Sequence, residues 1–235
     1  MRDKPIILAL DTSTEACSAA IMRAGVCVWR FEKTANTHTA LLLPMISSLL
    51  AETGLTLPQI DVIAVTRGPG SFTGVRIGIG IAQGMSLGLN KPVYEISTLQ
   101  AIARTCGLTG RISVAIDARM QEVYTAVFDC DQENTLLVGQ EKLCSPSQLA
   151  ESLLPFQDHP VKLVGSGWDV YHAQLQTPHC WQHFPMQLPH AKAVAELAHS
   201  ASLKGVEGVV AHDVTPIYLR DKVAEKAKVK SSVPL

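Results

Sequence analysis

The sequence predicts an α/β fold of two lobes, each a mixed sheet with helices, and three observations predict it. Short apolar runs that read as buried strands alternate with helix-length segments, in the order strand, hairpin, helix, strand, helix, strand, helix. The pattern strand, aspartate, tight turn, strand occurs at Asp11 and again at Asp117. The chain has 235 residues, 47% hydrophobic and 17% charged, which is enough to bury a core and too few charges for a disordered or coiled-coil protein.

Ile6–Leu10 is a continuous apolar run that ends at Asp11, the mark of a buried strand. Ser18–Met22 and Val26–Phe31, joined by a turn at Arg23–Gly25, read as a hairpin. A helix follows from about Ala40 to Thr53 and is closed by Gly54, with Pro44 tolerated only near its first turn. Asp61–Thr66 is a strand. The loop Arg67 to Gly74 leads into a helix over Val75–Leu89, with Thr73 as its N-cap. Val93–Glu95 and Thr98–Cys106 complete the first lobe as strand and helix. In the second lobe Ile112–Ile116 and Val123–Asp129 form a strand pair around Asp117. Pro146–Leu154 reads as a helix, Val161–Gly165 as a strand and Ala191–Lys204 as a helix. The boundary falls near 105–110, giving lobes 1–106 and 107–219 and a tail 220–235.

The net charge is −1, which removes the simplest case for a nucleic-acid or membrane-surface protein. The charge is uneven: residues 1–105 carry +2, residues 106–219 carry −6 and the tail carries +3. The tail is either a solvated basic helix or a contact for RNA phosphates. No stretch approaches the roughly 18 apolar residues of a membrane span, and the amino terminus does not read as a signal peptide. The expected location is the cytoplasm. Six scattered cysteines without a CxxC pair read as small buried hydrophobes.

Asp11, Thr12 and Ser13 place a carboxylate and hydroxyls at the end of a buried strand. They suit either a phosphate or metal-bound water, or an Asx/ST turn that caps a hairpin. Gly68 and Gly70, in Gly-Pro-Gly-Ser-Phe-Thr-Gly, suit either a backbone phosphate cradle or a tight strand-to-helix link. In the following helix Gly80, Gly84 and Gly88 recur every four residues and share one face. Three or four helical glycines cost roughly 3–4 kcal/mol relative to alanine, so close packing against the bare face is expected to offset them. The lobe's own sheet or another helix would supply it. Ile77 and Ile81 flank the glycines. Leu41, Leu42, Met45, Ile46 and Leu49 make the preceding helix apolar around most of its circumference, which predicts burial on two sides, against the sheet and against either the second lobe or a second polypeptide. His179 and His183 have metal spacing, but Pro178 and Pro185 favour a loop there. Gly165-Ser166-Gly167 reads as a turn. No Ser/His/Asp or Cys/His order stands out.

Taken together, ILALDTSTEACSAAI, TRGPGSFTGVRIGIGIAQG, IDARMQEVYTAVF and the late PIYLRD resemble the bacterial TsaB (YeaZ) family over nearly the whole chain. The resemblance implies a two-lobed actin-like (sugar kinase/heat-shock ATPase) fold. It also implies kinship with the TsaD transferases that form N6-threonylcarbamoyladenosine on tRNA. Two departures from the catalytic paralogue stand out. Its metal pair would be histidines at 38 and 42, and Leu42 fills the second place. Its second phosphate turn would be glycine-rich, and Asp117-Ala-Arg-Met120 has none. The resemblance therefore implies a non-catalytic partner with no metal. It would bind a TsaD-type transferase, or itself as a homodimer, through the helices at 40–53 and 75–89. A TsaE-type ATPase would dock on the pair, tRNA would be met only through the complex, and ATP or ADP would sit, if anywhere, at the heterodimer interface. The interface residues would be Leu41, Leu42, Met45, Ile46, Leu49, Ile77, Gly80, Ile81, Gly84 and Gly88. Asp11, Thr12, Ser13, Gly68 and Gly70 would be a nucleotide-binding remnant. The alternative is a small-molecule kinase or ATPase of the same fold using Asp11 and the Gly68–Gly74 loop.

Overall fold

The computed structural model describes residues 5–34, 37–185 and 187–220. Apart from Arg220, the basic tail lies outside the described residues.

The first sheet is built from β1 (Ile7–Asp11), β2 (Ala16–Arg23), β3 (Val26–Lys33), β4 (Val62–Thr66) and β5 (Val93–Ile96), in the spatial order β3-β2-β1-β4-β5. β1 to β3 form an antiparallel meander, and β4 and β5 join in parallel. α1 (His38–Thr53), α2 (Phe72–Leu89) and α3 (Thr98–Thr105) connect the strands. The second sheet is built from β6 (Gly110–Asp117), β7 (Val123–Cys130), β8 (Thr135–Cys144), β9 (Val161–Val164) and β10 (Trp181–Phe184), with β6 central and the same third-second-first-fourth-fifth order. α4 (Pro146–Glu151), α5 (Ser166–Tyr171) and α6 (Ala191–Leu203) complete the set. The repeated order gives two lobes of one plan, and the Asp11/Asp117 pattern marks their equivalent points.

The strand period of two sorts the first sheet. Leu8 and Leu10 face α1 and α2 in a cluster with Leu42, Ile46, Leu49, Val75, Ile79 and Ala82. Ile7 and Ala9 face the other way, with Ala20 and Ala64, onto Ala191, Val194, Ala195 and Ala198 of α6. Small residues on both sides let α6 sit close to the sheet. The packing crosses the linear division at residue 106. α3 packs on the second sheet through Leu99, Ile102 and Ala103, whereas α6 returns to the first, and Val93 and Val209 form an isolated bridge. The two lobes exchange helices.

Several local expectations are corrected. α2 begins at Phe72, and its N-cap is Ser71, whose Oγ accepts from the Gly74 amide at 3.2 Å, not Thr73. α1 begins at His38, so Pro44 lies in its second turn on the exposed side. His183 lies in β10 rather than a loop, and Ser166 opens α5 rather than a plain turn. At Gly165 φ is +108°, and a Cβ there would meet the Ala115 carbonyl, which fixes glycine at that point. β8, β10 and α5 were not marked by the sequence pattern. All six cysteines are free thiols. Burial pushes Cys17 up to about 12, and Cys27 and Cys130 up to about 11.

Candidate functional site

A cleft of about 770 Å³ lies between the lobes, where the turns after β1 and β6 face each other. Ser13, His38, Gly70, Ser71 and Phe72 line it from the first lobe, and Asp117, Arg119, Tyr124 and Ser166 from the second. Its polar groups are largely engaged within the chain. Asp11 is fully buried, and its Oδ1 accepts from Thr66 Oγ1 at 2.6 Å and from Ser13 Oγ at 2.7 Å and N at 3.2 Å. Its Oδ2 is buried with no partner, and burial pushes the carboxyl up from its usual range. Thr12 Oγ1 donates to the Gly74 carbonyl at 2.7 Å. Asp11, Thr12 and Ser13 thus form the Asx-type turn that caps the β1–β2 hairpin.

The loop glycines are explained by the same turn. A Cβ on Gly70 would strike the Ser13 carbonyl oxygen, and one on Gly74 the Thr12 carbonyl oxygen. One on Gly78 would lie 2.7 Å from Thr12 Oγ1, and one on Gly68 3.1 Å from the Ile217 carbonyl. Glycines 70, 74 and 78 let the start of α2 settle onto the β1–β2 turn. The bare backbone at Gly68 and Gly70 therefore admits the chain's own carbonyls, which accounts for those glycines without a phosphate. Glycines 70, 74 and 78 form an inward-facing row that helical periodicity does not mark, because Gly70 lies in the loop before α2.

The second turn is built differently. Arg119, Met120 and Gln121 all have φ between 55° and 64°, a left-handed run without glycine. Asp117 Oδ1 accepts from the Arg119 amide at 3.0 Å, and the Asp117 amide donates to Ser166 Oγ at 3.0 Å. Side chains stand where a phosphate-binding turn would offer bare backbone. A metal fits no better. His38 Nε2 lies 2.9 Å from the Thr14 carbonyl, and Leu42, one turn on, is fully buried in the core. His183 pairs with Asp169 at 2.7 Å and stacks on His172. Among the described residues no group of three His, Cys, Asp or Glu is placed to hold a metal ion.

The outer face of the first lobe differs in kind. Within α2, Ile79 marks the core side. Ile77, Gly80, Gly84, Gly88 and Ile81 fall within about 100° on the opposite side at 3.6 residues per turn. A Cβ added to Gly80, Gly84 or Gly88 would meet nothing within 4 Å. The expectation that this strip be filled is not met by anything in the described chain, and neither the sheet nor the second lobe covers it. Leu41, Met45 and Ile81 are half-buried against the core, while Leu43 and Leu87 are 50% and 78% exposed. Leu42, Ile46 and Leu49 are corrected: they point into their own lobe and are lost to any partner.

A family model described as "TsaD: tRNA N6-adenosine threonylcarbamoyltransferase" matches residues 32–228. The chain is 39% identical to the "tRNA threonylcarbamoyladenosine biosynthesis protein TsaB" of Haemophilus influenzae, over 94% of this chain and 95% of that protein. It is also 39% identical to the protein of the same name from Escherichia coli, over 94% and 96%. A solved structure, "YeaZ from Pseudomonas aeruginosa", superposes with a TM-score of 0.82 at 38% identity, over 92% of this chain and all of that one. Similarity of this extent, together with the duplicated sheet order, shows that the chain belongs to the TsaB (YeaZ) family.

Proposed function

We propose that the chain is a non-catalytic partner subunit in the formation of N6-threonylcarbamoyladenosine on tRNA. It docks a TsaD-type transferase through the outer faces of α1 and α2 and holds it in an active arrangement. The observation that carries this reading is the uncovered strip of Gly80, Gly84 and Gly88 beside Ile77 and Ile81. Each of these glycines costs the helix about 1 kcal/mol relative to alanine, with no compensation among the described residues. A helix backbone seated against the strip supplies that compensation, and burying the flanking apolar groups adds about 25 cal/mol per Å². Leu41, Met45, Leu43 and Leu87 extend the apolar area around it. In the absence of the transferase the same face pairs with a second copy.

The cleft supports the non-catalytic half of the reading. Its first turn spends its glycines on internal packing, and its second carries three side chains in left-handed backbone. ATP or ADP is therefore assigned to the surface shared with the transferase, where a TsaE-type ATPase also docks. tRNA is contacted through the assembly, in the cytoplasm. No described helix is long and apolar enough to cross a membrane.

Reconstitution tests the proposal. Purified transferase, ATPase, tRNA and threonylcarbamoyl donor are combined with and without this chain, and modified adenosine is measured. Omission is expected to lower the yield at least tenfold. Undiminished yield without the chain would refute the partner role. Turnover of Mg-ATP by the chain alone, abolished by Asp11→Asn, would favour the kinase or ATPase reading instead.

A further inference from the structure

The two lobes are tied at both ends of the β6–β7 hairpin, by different means. At the end where β6 starts and β7 finishes, α6 is tied to α3 and to the β7–β8 turn, and α3 in turn to β8 and that turn. Arg104 of α3 bonds Glu196 of α6 at 2.7 Å and the Gln132 carbonyl at 2.8 Å. Lys204 Nζ donates to Asn134 Oδ1 at 2.7 Å, and Gln100 Nε2 to the Thr135 carbonyl at 2.9 Å. The other end, where β6 reaches Asp117, opens on the cleft. Eight residues of strand at about 3.3 Å each put it roughly 25 Å from the α3/α6 contacts.

At that end one segment crosses from lobe to lobe. Residues 214–217 are fastened to the first lobe. Gln83 Nε2 of α2 donates to the Val214 carbonyl at 3.0 Å, the Thr215 amide to Glu95 Oε1 at 2.9 Å, and the Ile217 amide to the Arg67 carbonyl at 2.8 Å. Tyr218 lies 5.8 Å from Phe72, and the Arg76 guanidinium sits over both rings. Arg220 is fastened to the second lobe. Its Nη2 donates to the Ala118 carbonyl at 3.0 Å and the Arg119 carbonyl at 3.4 Å, and it is ion-paired with Glu122. All three contacts are made by Nη2, and Nη1 lies 3.9 Å from Met120 Sδ. The Nη2 contacts fall on Arg119 and on Ala118 and Glu122, which flank the left-handed turn at 119–121.

We propose that residues 214–220 are a strap across the mouth of the cleft, with Arg220 as the positioning residue that sets how far the lobes open about a hinge at the α3/α6 contacts. Because Gln83 ties the strap to α2, the docking helix and the second lobe share one mechanical connection. The strap stands on contacts within this chain and does not depend on the identity of the partner.

The test uses the full chain with Arg220→Ala, Arg220→Lys and Glu122→Gln. Small-angle scattering at equal molecular mass gives the radius of gyration, and hydrogen exchange gives local protection. Arg220→Ala is expected to raise the radius by about 1 Å from roughly 17 Å for a monomer of this length. It should also speed exchange at least tenfold at 118–122 and at Ile217, with β1 and β6 still protected. Arg220→Lys keeps the charge on a shorter side chain and should fall between Ala and wild type. If Arg220→Ala does not fold, Glu122→Gln read in the same way decides. An unchanged radius in the folded variants overturns the proposal even if the turn amides exchange faster, because Arg220 would then only pin the turn.

Discussion

A Cβ at Gly74 runs into the Thr12 carbonyl oxygen, whereas one at Gly84 meets nothing, although both glycines lie in the same helix. Gly74→Ala must shift backbone and should destabilise the chain by about 3 kcal/mol. Gly84→Ala fills open space and removes a helical glycine, so it should stabilise the chain by about 1 kcal/mol. Denaturant titration of the two variants checks both signs. At this scale the sequence was partly legible. The outward row 80, 84, 88 was visible as a spacing of four. The inward row 70, 74, 78 has the same spacing, but its first member lies in a loop, so helical periodicity does not reveal it. The contact that requires it comes from a turn some 60 residues earlier in the chain. Asp11 was legible as a strand-end carboxylate, but whether its hydroxyl neighbours serve a ligand or a turn depends on Thr66, which only the parallel β1–β4 pairing brings near.

α6 shows how an element depends on its cap. His190 Nδ1 accepts from the Ala193 amide at 3.3 Å, and its ring lies 4.8 Å from Trp29. Burial pushes this histidine below its usual value of 6.5. The unfolded chain therefore takes up the proton first. Stability from this residue is fully present above about pH 6.5 and falls as the pH drops below it, towards the lower folded value. His190→Asn keeps a capping acceptor without titrating. Thermal melts between pH 5 and 8 should show a smaller loss on acidification in this variant than in wild type. Equal slopes would show that the cap does not titrate in this range. Most elements were legible because caps and periodicity mark them locally. The placement of α6 was not, since its alanine-rich face fits any close-packed surface and only the small residues of the first sheet select its partner. α1 likewise showed its apolar excess but not its orientation: Leu42, Ile46 and Leu49 point inward, and Leu41, Met45 and Leu43 remain for the outside.

For the whole molecule, the duplicated sheet order gives two lobes around a cleft whose turns are occupied by their own chain, while an outer helix face is left uncovered. On the proposed reading such a molecule does not transfer a group itself and is held by a partner on its outer helix face. The strap adds a second level, since it ties the gripped helix to the far lobe through Gln83 and Arg220. The most direct test is the dissociation constant for a TsaD-type transferase, measured by calorimetry with wild type, Gly84→Ala and Gly84→Leu. Each variant is first shown to be folded by its melting transition. Leucine on the strip is expected to weaken association at least a hundredfold, about 2.7 kcal/mol, with alanine weakening it far less. A folded Gly84→Leu chain that binds the transferase as tightly as wild type would contradict the assignment of this face.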